Sequence, residues 1–217
     1  MNCARCGADL RARHVLDRHE IPAMRNHSRI HVPKCERCDR PIELHDVRAH
    51  IQGDRKALLI TGTAGAGKTA LGQLIEQRHG YVFVDGDAVQ KRENYFRRLD
   101  PNRAVDNQTA TLHTLLILLG LGYHAAVGYI IEQADYERYV RALAEHGIRP
   151  AFRVLVPDRA ACIARDNARA CWTAGARWVD AWYAQMRAYW DTHPAHCVDS
   201  THETLEETYE RHFRGIL

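Results

Sequence analysis

From residue 57 onward, short apolar runs alternate with stretches whose apolar residues recur every three or four positions. That alternation predicts strands interleaved with helices. Leu58-Leu59-Ile60-Thr61 is a continuous apolar run between a charged stretch and a glycine cluster, as expected of a parallel strand buried on both faces. Leu71, Leu74 and Ile75 then repeat at helical spacing. A second strand is predicted over Tyr81-Val82-Phe83-Val84, with a helix in the residues after it. The run TATLHTLLILLGLG predicts a helix leading into a third strand from about His124 to Ile131. A helix follows with Tyr136, Tyr139, Val140, Leu143 and Ala144 on its apolar side, then a fourth strand within PAFRVLVP. A helical stretch around 158–190, a fifth strand and turn within AHCVDST and a closing helix in HETLEETYERHF complete the pattern. Five strands alternating with helices specify an α/β fold, a doubly wound parallel sheet over 57–217.

The first 45 residues read differently. Cys3-x2-Cys6 and Cys35-x2-Cys38 are two thiol pairs separated by 28 residues, with few apolar side chains between them. A CxxC turn converges two thiolates on one side of a tight loop, and two such turns supply a tetrahedral Zn²⁺ site. A segment so poor in apolar residues needs a staple of this kind to fold. The arrangement resembles a zinc ribbon, with a gap longer than the usual 15 to about 20 residues. One of His14, His19, His27, His31, His45 and His50 can replace a cysteine as ligand, although surface positions are the plainer reading for most of them. Residues 46–56 read as a linker.

The composition sharpens this picture modestly. Hydrophobic residues make up 46% and charged residues 26%, as in ordinary globular chains. The apolar run Leu115–Leu121 is far too short to span a bilayer, which needs about 20 residues. No apolar stretch follows a basic start, so no secretory leader is expected, and the expected compartment is the cytoplasm. The net charge of +3 sits wholly in residues 1–50, where Arg11, Arg13, Arg18, Arg25 and Arg29 form either a nucleic-acid surface or a solvated basic face. In that compartment thiols stay reduced, so the remaining Cys162, Cys171 and Cys197 are expected to be buried fillers.

The chemistry concentrates at two strand ends. Gly62-Thr63-Ala64-Gly65-Ala66-Gly67-Lys68-Thr69 stands between the first predicted strand and its helix, which is the order a phosphate-binding loop requires. Glycines let backbone N–H groups wrap a phosphate, and the helix dipole adds positive potential there. Lys68 would reach the β- and γ-phosphates of ATP, and the Thr69 hydroxyl would ligate Mg²⁺. The second strand ends in Asp85-Gly86-Asp87. Ligands sit beyond the carboxyl ends of strands in open sheets, so these carboxylates should face the loop across a cleft. Asp87 is the first choice for a base that accepts a hydroxyl proton and Asp85 the second; the plainer reading has one capping the next helix and the other solvated. Gly86 suits a sharp turn between them. No apolar run ends in a clear Walker B aspartate, which leaves Thr69, the Asp85/Asp87 pair and water for the metal shell; Glu132 is either a further contributor or the start of a surface helix.

A phosphate loop followed by a strand ending in Asp-Gly-Asp resembles the small-molecule kinases related to adenylylsulfate kinase, gluconate kinase and chloramphenicol phosphotransferase, a scaffold that polynucleotide 5′-kinases share. The resemblance implies that Asp87 or Asp85 contacts the acceptor hydroxyl and that a lid after the fourth strand carries arginines that close over ATP. Carried over, Arg165 and Arg169, four apart in sequence, become lid arginines; a salt-bridged surface is the alternative. It also implies that Asp199 to Thr201 border the adenine, although Thr201 is equally an N-cap for the closing helix. Trp172, Trp178, Trp182 and Tyr183 either line an acceptor pocket or pack the lid, packing being the plainer reading. The expected function is transfer of the γ-phosphoryl group of ATP to a hydroxyl of a sugar, nucleoside or antibiotic. Its rivals are a polynucleotide 5′-kinase whose zinc module holds the strand, and a nucleotide-sensing adaptor without catalysis.

Overall fold

The computed structural model describes residues 2–10, 34–35, 37–99, 105–169 and 173–217, with backbone alone at 91 and 95–99. Arg11 to Arg29, four of the N-terminal histidines, Cys171 and Trp172 lie outside the described residues. Five parallel strands, β1 (Ala57–Gly62), β2 (Val82–Asp85), β3 (Ala125–Gly128), β4 (Ala151–Leu155) and β5 (Cys197–Val198), stand in the order β2-β3-β1-β4-β5. The central strand β1 is buried at all six positions, because helices cover both faces and leave no solvated side. Alternation then assigns the layers. Leu59 pairs with Val127 and Phe152 and faces one core; Leu58 and Ile60 face the other with Ala126 and Leu155.

On the first face pack α4 (Asn107–Gly120), α5 (Gln133–Ala144), α7 (Ala176–Arg187) and the short α8 (Tyr189–Thr192); on the second pack α2 (Lys68–His79) and α9 (Leu205–His212). The helix α3 (Gly86–Leu99) leaves β2 directly and lies against α4, while α6 (Arg159–Asn167) follows β4 and meets α7. Asp106 caps α4 through the Thr109 N–H at 2.9 Å. Ten residues of α4 are buried, which is more than one face of a surface helix. The surplus is covered from outside by α1 (Leu44–Val47): Val47, Ile117 and Leu121 share one cluster with Cys3, Leu10, Cys35 and Ile42. The stretch expected to be a plain linker thus begins with helical turns packed on α4.

Several boundaries shift from their predicted positions. The second strand slides by one residue, so Asp85 is its last member and α3 begins at Gly86 without an intervening turn. A Cβ on Gly86 would fall 2.1 Å from the Tyr129 ring, so glycine is needed there for close packing rather than for the sharp turn expected. The third strand stops at Gly128, four residues into the predicted run, and Tyr129 to Glu132 become a loop. The closing helix starts at Leu205 with Thr204 as its N-cap in a capping box with Glu207, which corrects the assignment of Thr201. Thr201 instead accepts from the Asp158 N–H and donates to Asp199.

Candidate active site and cysteine centre

The loop from Gly62 to Thr69 bridges β1 and α2, as its sequence requires. Gly65 lies at φ 75°, and a Cβ there would meet the Cys162 carbonyl oxygen at 1.9 Å, so both conformation and space demand glycine. The Lys68 ammonium donates to the carbonyls of Gly62 at 2.8 Å and Thr63 at 2.9 Å and is thereby held over the loop. Burial pulls its pKa below the usual lysine range and Arg169 adds to this, while Asp87 and Asp85 work in the opposite direction. The four groups therefore feel one another's charge across a single site. The loop is also tied to the lid, since the Thr63 hydroxyl donates to the Val179 carbonyl of α7 at 3.1 Å.

A cleft of about 780 Å³ opens beside the loop, and Gly65, Lys68 and Thr69 line it together with Asp85, Asp87 and Arg169. The two aspartates are not equivalent. Asp85 is buried at the end of β2, and its Oδ1 accepts the Asp87 N–H at 3.0 Å, so it caps α3. Asp87 stands in the first helical turn, half-buried, and its side chain makes no hydrogen bond or ion pair within the described residues. The cleft-facing carboxylate with free lone pairs is Asp87. Next to it, burial and the Asp87 charge push the Tyr129 phenol up to about 12, so it stays a neutral donor at physiological pH.

The lid differs in detail from the expected pair of arginines on one helix face. The helix α6 ends at Asn167 with Ala168 as its C-cap, so Arg169 lies past the helix end. It still lines the cleft, held through its Nη1 at 3.3 Å from the carboxylate of Asp166, which is 1% exposed. The same carboxylate accepts the Gly175 N–H at 2.8 Å and so fixes both ends of the strap between α6 and α7. Arg165 turns to the loop after β5, donating to the Ser200 carbonyl at 2.6 Å and to the Ser200 hydroxyl at 3.3 Å. Ser200, Glu203, Leu205 and Thr208 line that end of the cleft, and Gln90, Gln108, Ile130 and Glu132 line the other. Trp178 and Trp182 face the cleft as well, while Tyr183 does not line it.

Sequence reasoning passed over Gln90, Gln108 and Tyr129, and placed Asp166 only as a salt-bridge neighbour on a solvated face, whereas it is buried beneath Arg169. The helical run around Asp166 gave no sign of where α6 stops, and a Gln or Tyr carries no motif of its own. Among the fillers, burial raises the Cys162 thiol to about 11, as it does the half-buried Cys197, which keeps both inert.

The four N-terminal cysteines converge, with all Sγ atoms within 4.8 Å of one another. Cys3 lies 3.7 Å from Cys38 and Cys6 lies 3.5 Å from Cys35, far beyond a disulfide bond. A Zn–S bond of about 2.3 Å in a tetrahedron places sulfurs about 3.8 Å apart, so the group fits a tetrathiolate metal. The two halves repeat each other. Gly7 N–H reaches the Cys3 carbonyl and Asp39 N–H the Cys35 carbonyl, each at 2.8 Å, and Gly7 and Asp39 take positive φ of 70° and 56°. The strand-like bridges Asn2 to Asp9 and Lys34 to Pro41 match as well, as do the buried Leu10 and Ile42. The signal was present in the sequence as CARCGADL and CERCDRPI, with an aliphatic residue at the same offset from each first cysteine. Arg40, bound to Asp46 at 2.8 Å, brings positive charge to the Cys3 thiol.

No family model matches the chain. Over 79 residues it is 37% identical to a shikimate kinase from Thermosynechococcus vestitus, a match that takes in 30% of this chain and 42% of that protein. The chain thus spans less than half the length of that curated relative. Among solved structures, a gluconokinase from Sinorhizobium meliloti superimposes with a TM-score of 0.51 at 18% identity, over 73% of this chain and 89% of the other. A sugar kinase from a Janibacter species gives 0.52 at 15% identity, over 72% and 91%. These likenesses show the fold, that of the P-loop small-molecule kinases. Among the described residues no helix is long and apolar enough to cross a membrane.

Proposed function

We propose that this chain is an ATP- and Mg²⁺-dependent kinase that moves the γ-phosphoryl group to a hydroxyl of a small molecule. The observation that carries this reading is the convergence of Lys68, Thr69, Asp87 and Arg169 on one cleft. Its volume lies in the range of small-molecule sites, about 300 to 1,000 Å³. The loop amides and Lys68 would hold the phosphates, and the Thr69 hydroxyl would take a place in the magnesium shell, with Asp85 beside it. Magnesium supplies charge neutralisation on the transferred group when bound. Asp87, with its free oxygens, accepts the proton of the attacking hydroxyl, and Arg169 stabilises charge on the moving phosphoryl group. Arg165 shapes the loop at Ser200, where the base of ATP would rest. A kinase drawing on ATP, with reduced thiols at its N-terminus, suits the cytoplasm.

We assign one structural zinc to Cys3, Cys6, Cys35 and Cys38. Metal analysis of the purified chain should return about one zinc per molecule, and a value near zero would remove the assignment.

The enzymatic reading is tested by ADP release with Mg-ATP against sugars, nucleosides, antibiotics and oligonucleotides bearing a 5′-hydroxyl. A small acceptor should stimulate release, and Asp87→Asn should abolish the stimulation. Activity on oligonucleotide ends alone, with steep salt dependence, would favour the polynucleotide kinase. ATP binding with no product across the panel would favour the adaptor.

A further inference from the structure

We infer that Trp178 and Trp182 form a stacking platform for the acceptor, and that the acceptor is a neutral, ring-shaped polyhydroxylated compound. The inference rests on the kinase reading above and names the substrate class of that site. Helical geometry places the two indoles. Val179 and Met186 are fully buried, Val179 against the phosphate loop, where the Thr63 hydroxyl meets its carbonyl, and Met186 against β1, where the Thr61 hydroxyl meets its sulfur at 3.5 Å. Asp180 is bound by Arg159, at the start of α6, through Oδ2 at 2.9 Å, so that flank of α7 faces α6. Positions 178 and 182 lie one turn apart on the flank of α7 opposite Asp180, away from α6, which follows β4. Both indoles line the cleft, and Trp178 is left 57% exposed. Two tryptophans one turn apart on a cleft wall supply apolar area of the kind that marks a ligand site.

The remaining side chains at that end fix the polarity of the occupant. Asp87, Gln90, Gln108, Tyr129 and Glu132 line the cleft, and among the described residues its cations are Lys68 at the phosphate loop, Arg165 at Ser200 and Arg169 on the strap. Gln108 is held in place, its amide donating to the Ile130 carbonyl at 2.7 Å and its oxygen accepting from the Tyr139 hydroxyl at 3.3 Å. Carboxylates and amides accept hydrogen bonds from hydroxyls, whereas an anionic acceptor would be repelled by Asp87 and Glu132. An indole face takes the C–H face of a sugar ring or the plane of a base, offering area with few rotamers to freeze. Glycosides and nucleosides share this chemistry.

The experiment uses the full chain with Mg-ATP and five acceptors: glucose, uridine and adenosine as neutral rings, gluconate and shikimate as anions. Neutral rings should give the higher kcat/KM. Trp178→Ala and Trp182→Ala should each raise the acceptor KM roughly 5- to 150-fold, the range that stacking contributes, with the KM for ATP within about twofold. Trp178→Phe should recover most of the loss. A preference for gluconate or shikimate would overturn the inference, as would alanine variants that raise the KM for ATP instead. A second readout separates this claim from the kinase reading. Glucose and uridine should quench tryptophan fluorescence in the presence of Mg²⁺ and a non-hydrolysable ATP analogue, and Trp178→Phe should diminish the change. Quenching without turnover of any acceptor would sink the kinase reading and keep the platform. Turnover of a neutral ring with unaltered KM in both alanine variants would do the reverse, and neither binding nor turnover of any neutral ring would end the platform.

Discussion

The two ends of the chain hold themselves together by different means. Around the sheet, leucine, isoleucine, valine and aromatic side chains fill two cores with no help from any bound group. The N-terminal cluster has Leu10, Ile42 and Val47 beside cysteines, and it is completed by Ile117 and Leu121 of α4. So small a patch buries too little apolar surface to offset the entropy of ordering its loops. The difference teaches where each function must come from. The sheet can carry a cleft with polar walls because its cores are independent of it, whereas the small module has the four cysteines at its centre.

Metal removal should separate the two regions most sharply. A strong chelator, or Cys35→Ser, should unfold residues 2–10 and 34–42, because structural zinc contributes on the order of 10 kcal/mol to such modules. Protease digestion should then trim the N-terminus while the sheet domain survives. Joint unfolding of both regions at one chelator concentration would show that the comparison is false. Next in size is Asp87→Asn, which should lower kcat by on the order of 100- to 10,000-fold, the contribution of a general base, with zinc content unchanged. Asp85→Asn should act less on kcat, since its carboxylate serves the α3 N–H.

The junction offers a finer probe. Leu121→Ala should cost about 2 to 5 kcal/mol in the zinc-loaded protein and distinctly less after chelation, when its partners have left. Equal costs in both states, by denaturant titration, would mean that α4 does not feel the module. The smallest effect concerns the cap of α4. Asp106→Ala should cost roughly 1 kcal/mol at neutral pH. Partial burial opposes ionisation of Asp106, but the hydrogen bonds from Thr109 and the charge of Arg138 prevail and hold its pKa below the usual carboxylate range. A depressed folded pKa means that this stability is present at neutral pH and fades as pH falls below the ordinary aspartate range. The gap between wild type and variant should therefore narrow in acid, as thermal melts would show.

How much of this was legible beforehand follows the range of the interactions involved. The loop from Gly62 to Thr69 could be read because its chemistry lies in consecutive residues, and the sheet because buried parallel strands leave apolar runs. The carboxylates at the end of β2 were legible as a pair. That one of them caps the next helix was legible too, but which one depends on a one-residue shift that lets Asp85 cap α3. Arg165 and Arg169 were readable as cleft residues, but their separation into a loop anchor and a strap residue depends on Asp166, whose partners lie at Arg169 and Gly175. The convergence of the four thiols could be read from spacing alone, yet the docking of their module on α4 did not appear. The helix showed its surplus of leucines, but sequence cannot say what covers a surplus.

The central claim is that the bend after β1 holds a nucleotide triphosphate through Lys68. Calorimetric titration of Mg-ATP into wild type and Lys68→Ala tests it most directly. The account predicts one site per chain in the wild type, and affinity weakened at least about tenfold in the variant through loss of a charge-assisted contact to the phosphates. Absence of heat in the wild type, or the same affinity in both proteins, would contradict it.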